Sequence, residues 1–277
     1  MLYKVLKNGS LIDVLATFFP DSSKRTLNTW IKVGRILIGT KKARRGDQEV
    51  AAGVSIQVQP ATMSTHRGLK ILYSDRSMIA IDKPTGLLSV PQELPGLTSA
   101  LCELRKHFNT ENIHAVHRID RETSGVLLFA RGIQAREALK ELFAAHTITR
   151  QYIALVGGVV EQNEGTWESR LIELPNFIVK ETHDPQEGRH AITHYKVLER
   201  YEERTLLELN LETGRKHQIR VHAANAGHPV VGDERYYGYP ARRLYLHAKI
   251  LTFIHPFTKK KMQFSSPVPK LFYRLPI

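Results

Sequence analysis

The chain has 277 residues and a formal net charge of +13 at pH 7, with 42% hydrophobic and 24% charged residues. These proportions are typical of an ordered globular protein and exclude a disordered chain. No apolar run reaches the roughly 18 residues that a membrane-spanning helix needs, so we expect no membrane partner that is bound through such a helix. Cys102 is the single cysteine, which excludes an intrachain disulfide and argues against a cysteine-based zinc site.

The excess of positive charge indicates what kind of partner the protein binds. A strongly basic chain favours polyanions, of which nucleic acid is the first candidate and an anionic membrane surface the second. Residues 1–20 have neither an uninterrupted apolar core nor a small-residue cleavage site, so they do not resemble a secretory signal. Together with the cysteine count, this predicts a reducing, cytoplasmic compartment.

Short helices and strands are predicted near the start of the chain from the spacing of apolar residues. They are helices over 11–19 and around 27–31, and strands over 35–40 and 54–60. Residues 21–23, Asp-Ser-Ser, offer an N-cap for the second helix. The pattern predicts a compact unit over residues 1–60, and the composition that follows predicts a linker over residues 61–69.

Basic charge is concentrated in this first unit. Residues 21–50 contain eight Lys or Arg against three Asp or Glu, a net charge of +5. Several of the basic residues lie between the apolar positions of the second helix, on the face that is left to solvent. The candidates for contact with nucleic acid are Lys24, Arg25, Lys32 and Arg35. A solvated helix face explains the same stripe without any ligand.

Residues 13–42, DVLATFFPDSSKRTLNTWIKVGRILIGTKK, resemble an S4 domain. This is a small RNA-binding module that presents a helix pair and a β-hairpin to structured RNA. The resemblance covers most of residues 10–60. It implies a small α/β domain in this part of the chain, with RNA as its ligand.

Beyond the linker, short strands outnumber helices. The predicted elements are two strands and a Pro-Gly turn over 69–91, an amphipathic helix over 132–146 with Ile133, Leu139, Leu142 and Phe143 on its apolar face, and a half-buried strand over 205–212. This order of elements predicts an α+β domain over residues 70–277 with a largely antiparallel sheet.

Residues 117–130, HRIDRETSGVLLFA, place Asp120 between Arg118 and Arg121 at the start of an apolar strand. Guanidinium groups near a carboxylate favour its ionised form. A rigidly held carboxylate can attack carbon or move a proton without a cofactor, but a structural ion pair explains the same residues equally well. Spacing also permits a glycosidase pair of Asp120 with Glu122, although nothing nearby resembles a carbohydrate platform.

Residues 213–222, TGRKHQIRVH, hold a second cluster of cations that contains Arg215, Lys216 and Arg220. If residues 216–225 are helical, Lys216 and Arg220 share one face. The cluster could cradle a phosphate or pair with a carboxylate elsewhere in the fold. A solvated basic helix turn is the alternative.

Thirteen histidines raise the question of a metal site. His114 with His117, and His217 with His222, have spacings that zinc ligands show. Arginines are interleaved with both pairs and would repel a dication, and no thiolate supports either pair. We therefore expect no metal.

Together these segments resemble the RluA family of pseudouridine synthases over nearly all of residues 70–277. The motifs that carry the resemblance are IAIDKPTGLLSVP, HRIDRETSGVLLFA, TRQYIALVGG, GRHAITHYKVLER, TGRKHQIRVHAANAGHPVVGDERYYG and LHAKILTFIHPFT, in this order. The resemblance implies the mixed, largely antiparallel sheet of that fold with flanking helices and loops. It also implies an enzyme that isomerises specific uridines of structured RNA to pseudouridine, with no cofactor.

The S4 resemblance makes large-subunit ribosomal RNA the expected substrate. The alternatives are the same reaction on transfer RNA, or a catalytically silent RNA-binding or ribosome-assembly protein.

The resemblance also implies roles for single residues. Asp120 falls on the catalytic aspartate, and Arg220 on the arginine that pairs with it. Tyr152, which by its strand pattern alone would be a core or edge aromatic, falls on the active-site tyrosine that stacks on the base. Arg118 falls on a position linked to base flipping. The further candidates for substrate binding are Lys83, Arg215 and His217. We expect the protein to act as a monomer with structured RNA as its partner.

Overall fold

The computed structural model describes residues 2–20, 22–32, 34–58, 63–64, 68–91 and 98–273. The chain divides into two compact units, residues 1–63 and 64–277. Most of the predicted linker over residues 61–69 lies outside the described residues. None of the helices in the described segments has the length and apolar character to cross a membrane.

The first unit consists of two helices and six short strands within its described residues. Their bounds are β1 (Leu2–Lys4), β2 (Gly9–Ser10), α1 (Leu11–Phe18), α2 (Lys24–Lys32), β3 (Ile36–Ile38), β4 (Lys41–Lys42), β5 (Glu49–Val50) and β6 (Ser55–Val58). Strands β1, β6, β3 and β4 form an antiparallel sheet in that order, and β2 pairs with β5. Both predicted helices are confirmed.

The two helices of this unit pack their apolar sides into one core. Leu15 of α1 and Leu27 of α2 are fully buried together with Ile36 and Ile56 of the sheet. The hydroxyl of Ser23 accepts a hydrogen bond from the backbone N–H of Thr26 and so caps α2 as predicted. Asp21, the first residue of the predicted cap, lies outside the described residues.

The second unit is built on one large sheet. Its elements follow β7 (Met63–Ser64), which spans the boundary between the units, and are β8 (Lys70–Ser74), β9 (Met78–Lys83), α3 (Ala100–Phe108), β10 (Ile113–Ala115), β11 (Ser124–Arg131), α4 (Ile133–Ala144), β12 (Thr149–Gly157), β13 (Glu164–Glu173), β14 (Val179–Thr182), β15 (Arg189–Arg200), β16 (Arg204–Leu211), α5 (Gln218–Asn225), β17 (Leu246–Ile254) and β18 (Lys261–Ser265). Short 3-10 turns at Glu234–Tyr236 and Lys270–Tyr273 complete it.

The sheet is mixed but largely antiparallel, as predicted. Its strands run in the order β14-β13-β15-β16-β12-β17-β11-β9-β8, with β10 added beside β11 and β18 beside β17. Every one of these pairs is antiparallel except β11 with β17, which is parallel. The α+β class is confirmed.

Strand β11 lies at the centre of the hydrophobic core because both of its faces are buried. Alternate residues of a strand point to opposite sides. Leu127 and Phe129 therefore pack with α3 on one face, while Val126 and Leu128 pack with α4 on the other. A continuous apolar run is what a strand with two buried faces requires. The loop that precedes β11 is anchored at one end by this strand.

The predicted apolar face of the helix over residues 132–146 needs one correction. Helix α4 begins at Ile133, and Leu139 is fully buried, but the side chain of Ile133 is 52% exposed. Ile133 is the first residue of the helix, where the chain leaves the sheet, so helical spacing does not carry it into the core.

Gly125, the second residue of β11, sits where β11 and β17 approach each other closely. It has a φ of +113°, and a Cβ built on it would overlap the backbone carbonyl of Ala248 on β17. Only glycine has the freedom to adopt this backbone conformation without strain and to leave room for the neighbouring strand. The glycine therefore permits the parallel pairing of β11 with β17 next to the loop at residues 117–124.

We predict that Gly125→Ala lowers the free energy of unfolding by about 3 kcal/mol, because it adds both backbone strain and a clash with β17. The measurement is urea denaturation of the two proteins. Gly227→Ala is the matched control: Gly227 also has a positive φ, of +82°, but nothing lies within 4 Å of its missing Cβ. That variant should lose about 1 kcal/mol, the strain alone. Equal losses in both variants would contradict the proposed clash.

Candidate active site

A cleft of about 620 Å³ opens on the second unit, between segments far apart in the sequence. It is lined by the loop before β11, by the start of β12 and by the segment that leads into α5. Six of the residues that the sequence predicts as catalytic or substrate-binding line this one cleft: Arg118, Asp120, Tyr152, Arg215, His217 and Arg220. Lys83 does not belong to this set.

Asp120 and Arg220 meet inside the cleft. Nη1 of Arg220, in the first turn of α5, lies 3.2 Å from Oδ2 of Asp120. The Asp120 side chain is 23% exposed and that of Arg220 only 10%. The carboxylate thus remains open to a molecule in the cleft, while the side chain of Arg220 that contacts it is more deeply buried.

Arg220 is held by a second carboxylate that the sequence analysis did not identify. Its Nε and Nη2 donate to the two carboxylate oxygens of Asp233, over 2.6 and 2.7 Å. Asp233 is fully buried, with its side chain 0% exposed. Burial alone would lower the pKa of Arg220, but the hydrogen bonds and charge of Asp233, followed by those of Asp120, raise it above its ordinary value. Arg220 is therefore permanently charged and rigidly oriented.

The arginines that flank Asp120 in the sequence are directed elsewhere. Arg121 is half-exposed, and its Nε lies 2.9 Å from Oε1 of Glu122. Arg118 is exposed and lines the cleft. The cation that contacts the Asp120 carboxylate at 3.2 Å comes instead from a residue one hundred positions further along the chain.

His217 contributes a second nitrogen near the carboxylate. Its Nε2 lies 3.9 Å from Oδ2 of Asp120, and its Nδ1 is 2.8 Å from the hydroxyl of Tyr236. Burial lowers the pKa of His217 to about 4, although the charge of Asp120 acts in the opposite direction. The imidazole is therefore neutral at pH 7 and does not add a second cation beside Asp120.

Tyr152 lies on β12, and its partly buried ring packs against two neighbouring clusters of the core. Burial raises the pKa of its phenol to about 12; the positive charge of Arg150 opposes this rise, and the negative charge of Asp120 supports it. The hydroxyl is consequently protonated at neutral pH. It can donate a hydrogen bond or accept one, and its ring presents a flat apolar surface to the cleft.

The two cations that precede α5 take different positions. Arg215 lines the cleft, and its Nε donates to the backbone carbonyl of His190 over 2.9 Å. Helix α5 begins at Gln218, so Lys216 lies before it. Lys216 pairs with Glu173 instead. The prediction that Lys216 and Arg220 share one helix face is wrong, because the helix starts two residues later than its pattern indicates.

Lys83 lies behind the Asp120 loop and not in the cleft. Its side chain is fully buried, and Nζ donates to the backbone carbonyls of Pro84, Leu87 and Arg121 over 2.7 to 3.0 Å. Burial lowers its pKa to about 7, while the charges of Glu122 and then Asp120 act in the opposite direction. With all three donors used by the backbone, the ammonium ties the turn after β9 to the Asp120 loop and is not open to a substrate.

Two hydroxyl groups of the same turn hold the loop as well. The Ser89 hydroxyl donates to the carbonyl of Ile119 over 2.6 Å and accepts from its N–H over 3.2 Å. Thr85 donates to the carbonyl of Glu122 over 2.7 Å. The peptide groups on both sides of Asp120 are thus fixed from behind, which leaves the side chain to face the cleft.

Arg150 is a further cleft residue that the sequence analysis did not single out. It lies two positions before Tyr152 on β12, and its Nη2 donates to the carbonyl of Glu212 over 2.6 Å. Burial lowers its pKa. A basic residue on the same strand face as the predicted tyrosine was the signal that could have found it, since residues i and i+2 of a strand point the same way.

The predicted histidine pair at residues 114 and 117 serves the fold. Nε2 of His117 accepts a hydrogen bond from the backbone N–H of Leu128 over 3.0 Å, and the ring stacks on Phe143. Nε2 of His114 lies 3.1 Å from the side chain of Asn112. Within the described part of the chain, no group of three or more His, Cys, Asp or Glu residues is arranged to hold a metal ion.

The predicted RNA-binding cations of the first unit lie on and beside α2. Lys24 is exposed and pairs with Asp13 at 2.8 Å, and Arg25 is also exposed. The guanidinium of Arg35 stacks over the ring of Trp30, 4.5 Å from its centre. The side chain of Lys32 lies outside the described residues.

The chain is similar to known proteins over most of its length. The family described as RNA pseudouridylate synthase matches residues 77–225. The chain is 36% identical to the ribosomal large subunit pseudouridine synthase D of Xanthomonas campestris pv. campestris, covering 95% of this chain and 86% of that protein. It is 33% identical to the protein of the same name from Neisseria meningitidis serogroup B, covering 98% and 78%.

Two solved structures share the fold. The structure of human RNA pseudouridylate synthase domain containing 1 has a TM-score of 0.62 at 24% identity, covering 76% of this chain and 86% of that one. The human domain containing 4 protein has a TM-score of 0.61 at 23% identity, covering 73% and 90%. The fold is thus that of the pseudouridine synthases. The chain belongs to the RNA pseudouridylate synthase family, and it is an isomerase that acts on RNA.

The half-buried His117 makes the stability of the protein depend on pH. Burial, with a smaller contribution from the charge of Arg150, lowers the pKa of His117 to about 3. In the unfolded chain a histidine has a pKa of about 6.5. Between these two values the unfolded state binds a proton that the native state does not, so stability is full above the unfolded pKa and is lost as the pH falls.

We therefore predict that His117→Gln weakens the acid dependence of stability. Glutamine offers an oxygen to the N–H of Leu128 but does not titrate. Urea denaturation between about pH 7 and about pH 5 should show a steeper loss for the wild type, by up to about 1.4 kcal/mol per pH unit. Other buried histidines, such as His222, titrate equally in both proteins and cancel in the comparison. Parallel pH curves would refute the assignment.

Proposed function

We propose that this enzyme isomerises specific uridines of large-subunit ribosomal RNA to pseudouridine. The observation that carries the proposal is an accessible Asp120 carboxylate in a cleft, with the Arg220 guanidinium 3.2 Å away. The relatives from Xanthomonas campestris and Neisseria meningitidis are named ribosomal large subunit pseudouridine synthases. A net charge of +13 suits a polyanionic substrate.

The proposed reaction balances without a cofactor. The bond between N1 of uracil and C1′ of the ribose breaks, the uracil turns in the cleft, and C5 bonds to C1′. C5 loses a proton and N1 gains one, so no net oxidation or reduction takes place. Asp120 promotes the first step, either by attacking the uridine or by removing a proton from its sugar. The base must leave its helical stack, since a paired base cannot rotate about its sugar bond.

Tyr152 is proposed to stack on the uracil and to guide its proton at C5. Its phenol is protonated at neutral pH, because burial raises its pKa to about 12. It can therefore take the C5 proton only if its own proton leaves at the same time. A hydroxyl group that both donates and accepts suits such a relay.

The other cleft residues are proposed to position the substrate. Arg220 fixes the direction of the Asp120 carboxylate through the bond at 3.2 Å. Arg118, exposed at the cleft, fills the space that the flipped base leaves in the RNA. Arg215 and His217 contact the flipped nucleotide from the α5 side. Lys83 acts on the reaction indirectly, by holding the backbone of the Asp120 loop.

The first unit is proposed to bind the same RNA at a distance from the reacting uridine. We take residues 1–60 as an S4-like RNA-binding domain, 61–69 as a linker and 70–277 as the catalytic domain. The support is the pair of helices in the first unit and the exposed basic residues on α2. Within this proposal the protein acts as a monomer in the cytoplasm.

The first prediction of this proposal concerns Asp120. In a strain that lacks the gene, pseudouridine should be missing at one or more positions of large-subunit ribosomal RNA, and the wild-type gene should restore it. Asp120→Ala should restore none, while its affinity for the RNA stays within about threefold of wild type, since the phosphate contacts that dominate affinity remain. Sequencing of pseudouridine sites and filter binding measure the two quantities.

Glu122→Gln provides the matched control, because Glu122 is the neighbouring carboxylate and pairs with Arg121. It should restore the modification. Loss of pseudouridine only from transfer RNA would assign the other substrate. Unchanged modification with Asp120→Ala would mean that Asp120 is not the catalyst, and no change on deleting the gene would favour a silent RNA-binding protein.

The second prediction concerns the first unit. Lys24→Gln combined with Arg25→Gln should weaken RNA binding and reduce the slope of log affinity against log salt by about 2, because each neutralised phosphate releases counterions. Asp13→Asn is the opposite control: it removes the carboxylate that pairs with Lys24 and should strengthen binding. A salt slope that is the same in all three proteins would exclude these cations from the RNA interface.

A further inference from the structure

One short segment contacts both groups that approach the Asp120 carboxylate. Asp233 binds the guanidinium of Arg220 through two hydrogen bonds, and Tyr236 lies 2.8 Å from Nδ1 of His217. The ring of Tyr236 also lies under the Arg220 guanidinium, 5.1 Å from its centre. Neither residue lines the cleft, and both are buried.

We propose that Asp233 and Tyr236 form a positioning element for the reaction: Asp233 balances the charge of Arg220, and Tyr236 orients His217, so that Asp120 is held in place without being neutralised. This inference rests on the proposed catalytic role of Asp120.

Asp233 acts on Asp120 through the charge of Arg220. Arg220 faces two carboxylates and can balance only one of them. Asp233 is fully buried and forms both of its hydrogen bonds over 2.6 to 2.7 Å, whereas Asp120 forms one over 3.2 Å. Short bidentate contacts in a buried site are the stronger ones. The charge of Arg220 is therefore taken up mainly by Asp233, and Asp120 keeps the electron density that a nucleophile or base requires.

Tyr236 sets the tautomer of His217. The Tyr236 oxygen accepts a hydrogen bond from the backbone N–H of Val179 over 3.1 Å. Its own proton is then directed to Nδ1 of His217, which assigns the imidazole proton to Nε2. Nε2 lies 3.9 Å from Oδ2 of Asp120. This N–H is thus aimed at the carboxylate, or at a substrate oxygen that lies between them.

Several charged or titratable groups surround Asp120, and each bears on the test. Arg220 and His217 approach from the α5 side, Tyr152 from β12 and Lys83 from β9. Removing the charge of Asp233 leaves Arg220 as an unbalanced cation among them. An unbalanced cation favours ionised Asp120 and binds it more tightly, so the rate falls while activity extends to lower pH.

The test is the single-turnover rate of pseudouridine formation as a function of pH. For Asp233→Asn, which keeps the shape and loses the charge, we expect a rate at least about tenfold lower at neutral pH. The acid limb of its profile should move down by roughly one pH unit, with KM little changed. Asp233→Glu keeps the charge and disturbs the fit, so its rate should fall while its acid limb stays at the wild-type pH.

Tyr236→Phe removes one hydroxyl group and tests the second half of the proposal, including the case in which Asp233→Asn does not fold. We expect about a tenfold lower rate with unchanged KM, because His217 loses its orienting partner. Tyr237→Phe is the matched control; Tyr237 is the next residue and is 93% exposed. It should behave as wild type.

The outcomes separate this inference from the proposed function. An inactive Asp120→Ala together with wild-type rates and pH profiles for the Asp233 and Tyr236 variants would overturn the positioning element alone. Lower stability with no change in rate or profile would also overturn it, since a purely structural role produces that result. An active Asp120→Ala would instead remove the proposed catalyst.

Discussion

The guanidinium of Arg220 lies between two carboxylates, and the arrangement of the cleft depends on it. Asp233 binds it from the buried side and Asp120 from the open side. Burying an arginine without a carboxylate partner would cost much free energy of folding. If Asp120 were the only carboxylate paired with Arg220, however, Asp120 would lose reactivity. Sharing one cation between a buried and an accessible carboxylate satisfies both requirements. Helix α5 carries the arginine, and its packing against the sheet through Ile219 fixes where the cation lies.

The backbone of the loop that carries Asp120 is held by hydrogen bonds from side chains of a neighbouring segment. Lys83 ends β9, and Thr85 and Ser89 follow it in the next turn; the side chains of all three bind carbonyl or N–H groups of the loop at residues 117–124. Strand β11 then buries the end of that loop between α3 and α4. A catalytic side chain works best when its own backbone does not move, because small displacements reduce rate strongly. The loop is therefore held by hydrogen bonds and the strand by apolar packing, two interactions that do not compete for the same atoms.

The sequence allowed the class of fold and several elements, among them α1, α2 and α4, to be predicted, because periodic apolar patterns report directly on local structure. It also led, through family resemblance, to Asp120, Tyr152 and Arg220, which the structure brings to one cleft. It did not reveal Asp233, since a carboxylate in a turn shows no pattern until its partner is known in space. It also predicted Lys83 to bind the substrate, but the ammonium is buried among three backbone carbonyls, a tertiary property that no local pattern carries.

An electrostatic conflict explains why the cleft holds so many cations. An ionised Asp120 repels the phosphates of an approaching RNA, and Arg220 cannot attract them because Asp233 already balances it. The attraction must come from cations without a carboxylate partner of this kind, and Arg118, Arg150 and Arg215 line the same cleft. Arg118, two positions before Asp120 in the sequence, thus lines the cleft, while the arginine beside Asp120 in space, Arg220, is distant in the sequence. Separating the two tasks lets the site attract a polyanion and keep a reactive carboxylate at the same time.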